Sequence, residues 1–144
     1  MKAYLLDTNI VSELRKTKPH GAVIEWFRNL KEGQAALSAV TLGELQAGIE
    51  LTRVQNPAKA QEIEQWMDRL SASYQILPMD AACFREWGRL MNGKSDRLIE
   101  DAMIAATARV HNLIIATRNE KDFKQFQMEV FNPFTQPQTF ARDE

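Results

Sequence analysis

Four acidic side chains, Asp7, Glu44, Asp101 and Asp122, stand where this chain could use them together. Asp7 directly follows the apolar run Tyr4-Leu5-Leu6, with Thr8 and Asn9 after it. Capping a helix that begins at Ile10 would need only one of these three polar residues, so the cluster leaves polar groups over for another role. Asp101 carries the strongest single signal. On a helix its neighbours at three, four and seven residues are Leu98, Ile104, Ala105 and Ala108, which puts a carboxylate on an apolar stripe. Facing a core, such a group is destabilising by several kcal/mol unless it is paired or bound to a cation. A basic side chain from another helix is one solution and a metal ion is another. Glu100, about 100° further round the helix, reads as a solvated or supporting group.

Glu44 and Asp122 have two readings each. Thr41-Leu42-Gly43-Glu44 matches a capping box, in which the glutamate reaches back to the threonine N–H. Its place in the first turn after a strand also sets Glu44 at the same edge as Asp7. Asp122 follows Arg118-Asn119-Glu120-Lys121, so Asn119 could cap a short helix with Asp122 in its first turn, and Glu120 competes for the same job. If the four acids converge, with the hydroxyls of Thr8 and Thr117 beside them, their mutual repulsion calls for a cation. An oxygen-only donor set without clustered histidine or cysteine selects Mg²⁺ or Mn²⁺. Such ions activate water and stabilise the attacking and leaving oxygens at a phosphodiester. His20 and His111 fall near helix ends, where capping is their ordinary use.

Elements must bring these acids to one edge. Short apolar runs at residues 3–6, 35–39, 75–77, 113–117 and 128–131 read as strands. Helical patterns separate them: one from Ile10, then residues 22–30, 42–51, 57–73, 81–91 and 96–111, with Pro57 suited to a first helical position. Strands alternating with helices imply an α/β fold with a central parallel sheet and helices on both faces, and ligands beyond the carboxyl ends of the strands. The 144 residues suit one domain over 1–134, followed by a polar tail over 135–144. Lone Cys83 allows no internal disulfide, and no apolar run could span a bilayer, so a cytoplasmic protein is expected. A net charge of −1 and a pI near 6.2 exclude a general phosphate-coating binder, so nucleic-acid chemistry would have to be local. Arg15, Lys16, Lys18, Arg118, Lys121 and Lys124 lie near the proposed edge and could position phosphates. Trp26, Phe27, Trp66, Met67 and Trp87 fall in helical patterns, where core packing or a subunit contact is expected.

The blocks that hold the acids resemble the signature segments of PIN-domain ribonuclease toxins of the VapC/FitB type. These are Leu5-Leu6-Asp7-Thr8-Asn9, the segment from Leu37 to Leu45, that from Asp101 to Ala108, and that from Ala116 to Phe123, with Val130-Phe131-Asn132-Pro133-Phe134 closing the series. The charged approach Lys94-Ser95-Asp96-Arg97 departs from the glycine-rich stretch usual before the third block. The resemblance implies a PIN-like three-layer sandwich. It implies metal ligation by Asp7, Glu44 and Asp101, with Asp122 as fourth acid directly or through water, and Thr8 and Thr117 as supporting hydroxyls. It further implies RNA cleavage, silencing by a cognate antitoxin, a homodimer and a larger toxin–antitoxin assembly. Two rivals differ in class. A receiver or phosphatase-like phosphotransfer domain also places acids at strand ends, but Asn9 stands where a phosphatase would need a second aspartate and Thr117-Arg118 where a receiver would need a lysine. A non-catalytic module would use the acids only to receive a basic partner.

Overall fold

The computed structural model describes residues 1–135. Five short strands, β1 (Tyr4–Leu6), β2 (Ala35–Ser38), β3 (Gln75–Leu77), β4 (Ile114–Ala116) and β5 (Val130–Phe131), form one sheet in the order β3-β2-β1-β4-β5. Every pairing is parallel. Strand register sorts the apolar residues by face with the period of two that a pleat imposes. Leu5 lies beside Ala36 and Ile115, and Leu6 beside Leu37 and Ala116. The first set packs with Leu98, Ala105, Ala108 and Phe123 in one core, and the second with Ile10, Val11, Val23 and Trp26 in another. A two-sided sheet with near-continuous apolar strands is the arrangement expected when helices cover both faces.

Helices α1 (Thr8–Arg15), α2 (Gly21–Arg28), α3 (Ala39–Gln55) and α4 (Pro57–Ser73) supply one layer. Helices α5 (Ala81–Leu90), α6 (Ile99–Val110) and α7 (Glu120–Lys124) supply the other. Asn56 closes α3 through its N–H to the Thr52 carbonyl and opens α4 by accepting from the Lys59 N–H, with Pro57 at the first helical position. The resulting α3–α4 hairpin has its own small core of Ile49, Ala60 and Met67.

The expected α/β sandwich is therefore present, with differences at element ends. The third helix begins at Ala39 rather than 42 and continues to Gln55 rather than 51. Ser38 is the reason at its start, because its Oγ accepts from the Val40 N–H at 3.0 Å and caps the helix one turn before Thr41 could. The helix expected over 96–111 opens with a separate 3-10 turn, Asp96–Leu98, capped by Ser95. The last two strands are shorter than 113–117 and 128–131, pairing only where two neighbours overlap. Trp26 and Met67 are buried as core residues; Trp66 packs partly buried against both of their clusters, and Trp87 against the core on the other face of the sheet. His20 caps α2 by accepting the Ala22 N–H, and His111 ends α6. The tail expected from 135 lies outside the described residues except Thr135, whose N–H reaches the Asn132 carbonyl at 3.3 Å. Among the described residues no helix is long and apolar enough to cross a membrane.

Candidate active site

Sheet order puts β1 and β4 side by side, with later strands running outward from each. Chain connections diverge at that point and leave a crevice beyond the carboxyl ends. Asp7 follows β1 and Thr117 follows β4, and the Thr117 hydroxyl donates to Asp7 Oδ2 at 2.7 Å. The Asp7 N–H in turn donates to the Ala116 carbonyl, so the backbone locks the two strand ends together. Asp7 also caps α1, accepting the Thr8 N–H on Oδ1 at 2.8 Å. Asn9 donates to Oδ2 at 3.1 Å. Thus Asp7 is both cap and site residue, using separate oxygens, and it is only 5% exposed.

The Thr8 hydroxyl lies 2.7 Å from Glu44 Oε1 and 3.1 Å from Thr41 Oγ1. One hydroxyl proton can serve only one acceptor. It goes to the carboxylate, so Thr41 donates to Thr8. Thr41 is fully buried inside α3. The capping-box reading of Glu44 is therefore overturned, since its threonine is not at the cap and its carboxylate is turned to Thr8. Asp101, in the first turn of α6, is half-buried and accepts from Asn119 Nδ2 at 3.4 Å. Asn119 does not cap α7 with its side chain; it spans Asp101 and Asp122, reaching Asp122 Oδ2 at 3.0 Å.

Asp7, Glu44 and Asp101 line one open cavity of about 450 Å³, together with Thr8, Asn9 and Arg118. Asp122 stands behind Asn119, and its two oxygens take the fork of Arg97 at 3.2 and 3.3 Å. Glu120, its competitor, accepts from Asn132 and lies 3.9 Å from Lys124. Of the two, Asp122 is the one tied to Asp101. Thr117 is buried behind Asp7 and Thr8 lines the cavity, each on a carboxylate. Sequence reasoning missed the pairing of Arg97 with Asp122 across 25 residues, whereas Glu100, read as a solvated or supporting group, stands beside Glu44. Glu13, buried at the cavity edge, was not singled out either; it accepts from Lys16 Nζ and the His20 N–H.

The electrostatics divide these acids in two. Glu13 and Asp122 have cations against them, Lys16 and Arg97, and both carboxyls are held below their usual range. Burial pushes Asp7 up, against the three hydrogen bonds that favour its charge. Burial pushes Glu44 up to about 7, helped by the hydrogen bond with Glu100 and by the charges of Glu100 and Asp7. Asp101 is pushed up to about 6, first by burial and then by the charges of Asp7, Asp122 and Glu100. Among the described residues no basic side chain lies within ion-pair distance of Asp7, Glu44 or Asp101. A divalent ion suits such a set in charge and in donor type. As the side chains stand, no three His, Cys, Asp or Glu among the described residues are arranged to hold one ion together. Mg²⁺ is commonly held by one or two carboxylates with waters completing its shell, so the residues present fit it in pairs.

A measurable consequence concerns pH. Raised folded-state values mean that, without a cation, the folded protein binds more protons than the unfolded chain from about pH 4 to about pH 7. Stability therefore falls as pH rises through that window. Melting in chelator should drop by a few degrees between about pH 5 and pH 8. Mg²⁺ should recover more at the higher pH, and Glu44→Gln should flatten the profile. A wild-type melting temperature that rises over the same interval would contradict this account of the pocket.

A PIN domain model matches residues 4–127. The chain belongs to the PIN-domain family. This PIN domain is of the FitB/VapC type: it is 34% identical to "Toxin FitB" of Neisseria gonorrhoeae over 139 residues, covering 90% of this chain and 97% of that one. It is 35% identical to the "tRNA(fMet)-specific endonuclease VapC" of Shigella flexneri over 129 residues, 87% of this chain and 92% of that one. Among solved structures, FitAcB from Neisseria gonorrhoeae superposes with a TM-score of 0.79 at 30% identity, covering 92% and 99% of the two chains. A toxin–antitoxin complex from Klebsiella pneumoniae superposes with a TM-score of 0.68 at 26% identity, covering 91% and 98%.

Proposed function

We propose that this PIN domain is a Mg²⁺- or Mn²⁺-dependent endoribonuclease and the toxin of a toxin–antitoxin pair, acting in the cytoplasm. One observation carries the reading: Asp7, Glu44 and Asp101 share a cavity, are all pushed toward protonation, and have no cation partner among the described residues, while neighbouring acids have one. The names of the relatives, a toxin and a tRNA endonuclease, agree with it.

In this reading the ion would be held among Asp7, Glu44 and Asp101, two of them directly and the third through water, with Asp122 as the fourth acid through Asn119 or water. When bound, the ion supplies Lewis-acid activation of water and of the phosphodiester. The chain's own groups do the rest. Thr117 and Asn9 fix Asp7, and Thr8 fixes Glu44, so neither carboxylate must reorganise during the reaction. Asn119 and Arg97 hold Asp122 and limit its repulsion of Asp101. Arg118, whose guanidinium lies 4.0 Å from the Phe134 ring centroid, offers a cation at the cavity rim for a substrate phosphate. A cognate antitoxin would silence the site by presenting a basic side chain to the same acids. A homodimer and a larger toxin–antitoxin assembly belong to the reading, with exposed Leu51, Val54, Phe84 and Val110 as surface for such contacts.

Partner-free protein incubated with an RNA pool and Mg²⁺ or Mn²⁺ should produce discrete ends, located by sequencing, and chelator should abolish them. If the cation-loaded protein cleaves no RNA, the acids serve only to receive a partner. Labelling of Asp7 by acetyl phosphate would favour a phosphotransfer domain instead.

A further inference from the structure

A second cavity, of about 400 Å³, lies between the end of α1 and the exposed side of α4 and adjoins the acidic one, sharing Lys16 with it. Lys59, Glu62, Trp66 and Arg69 recur at spacings of three and four on α4, so they share one helix face. Arg15 and Lys16 come from the last turn and cap of α1. Four cations thus surround one acid. Lys16 is engaged by Glu13 at 2.9 Å, and Lys59 stands 3.7 Å from Glu62. Arg15 and Arg69 are exposed and meet no carboxylate among the described residues. Trp66 is partly buried, and its ring N–H meets no acceptor among the described residues.

We infer that this groove is the path by which a single-stranded RNA segment enters the acidic cavity, with Arg15 and Arg69 on its phosphates and Trp66 against a base. The inference rests on the ribonuclease reading. Repulsion explains why such a path is needed: phosphates do not approach a cluster of carboxylates unaided, in a protein whose net charge is −1. Cations that sequence composition hides are here gathered at one mouth of the site. The indole supplies a flat apolar face for stacking, which is sequence-tolerant and characteristic of single-strand binding. An acidic peptide would use the cations but has no need of the indole or of continuity with the cutting site.

The test is binding in chelator, where cleavage is silent, of a short fluorescein-labelled single-stranded RNA by the full-length protein. The double variant Arg15→Gln/Arg69→Gln should bind roughly tenfold more weakly. The slope of log affinity against log salt should flatten by about 1.4, at roughly 0.7 per contact. RNA should quench tryptophan emission in the parent and much less in Trp66→Leu, which keeps an apolar side chain for the core. Parental affinity and salt slope in the double variant would overturn the inference. So would poly-L-glutamate binding the parent as tightly as RNA with the same loss in the variant, since the groove would then recognise acidic peptide. If the parent itself bound no RNA, the ribonuclease reading would fall with it, a result distinguishable from failure of the groove alone.

Discussion

RNA cleavage in Mg²⁺ is expected to fall on the order of a thousandfold in Asp101→Asn, without loss of folding. The size of the effect follows from removing several kcal/mol of stabilisation that a held cation gives the transition state. The fold should survive because the charge is unfavourable where it sits: Asp101 is pushed up to about 6 and, among the described residues, accepts one long bond, from Asn119. Its melting temperature in chelator near neutral pH should match or exceed that of the parent, and its gain on adding Mg²⁺ should shrink. Asp7→Asn should be as inactive but less well tolerated. Asparagine caps helices as well as aspartate, yet its amide would face Asn9 Nδ2, a donor, where Asp7 Oδ2 accepts. Activity persisting in both variants and in chelator would remove the chemistry from this cavity.

A second large effect concerns stability and comes from beneath the site. Phe123 is fully buried between the sheet and α6, in the core that holds Leu5, Ile104, Ala105 and Ile115. It anchors α7, a helix of only five residues that would not persist unsupported. Phe123→Ala should destabilise by about 3–5 kcal/mol, the range for emptying a core aromatic site, and lower the melting temperature by roughly 10 °C or more. Phe123→Leu should cost well under half as much. Because Asp122 precedes Phe123 and pairs with Arg97, loosening α7 should also release that pair, seen as faster amide exchange from Asn119 to Gln125. A loss below about 1 kcal/mol would show that α7 is held by something other than this side chain.

Much of the architecture was legible because the strands are apolar on both faces and the helices carry stripes at a different period. Asp7 and Asp101 were legible for the same reason, a carboxylate ending an apolar strand and a carboxylate on an apolar stripe. Glu44 was harder. Its capping-box pattern is a local signal, and it lost to Ser38, which captures the helix start because β2 ends in it and its Oγ reaches the Val40 N–H. Asn119 looked like a cap and is instead a bridge between two acids.

Residue order and periodicity alone determined that this chain folds as a two-sided parallel sheet with acids at one edge, since apolar spacing dictates which faces are buried. Tertiary packing decided which of those acids meet a cationic side chain and which are pushed toward protonation by burial. Ion pairs such as Arg97 with Asp122 join side chains far apart along the chain, and burial depends on neighbours that no local window contains. Glu13 and Asp122 found such partners; among the described residues Asp7, Glu44 and Asp101 did not, and that difference between chemically similar carboxylates exists only in three dimensions.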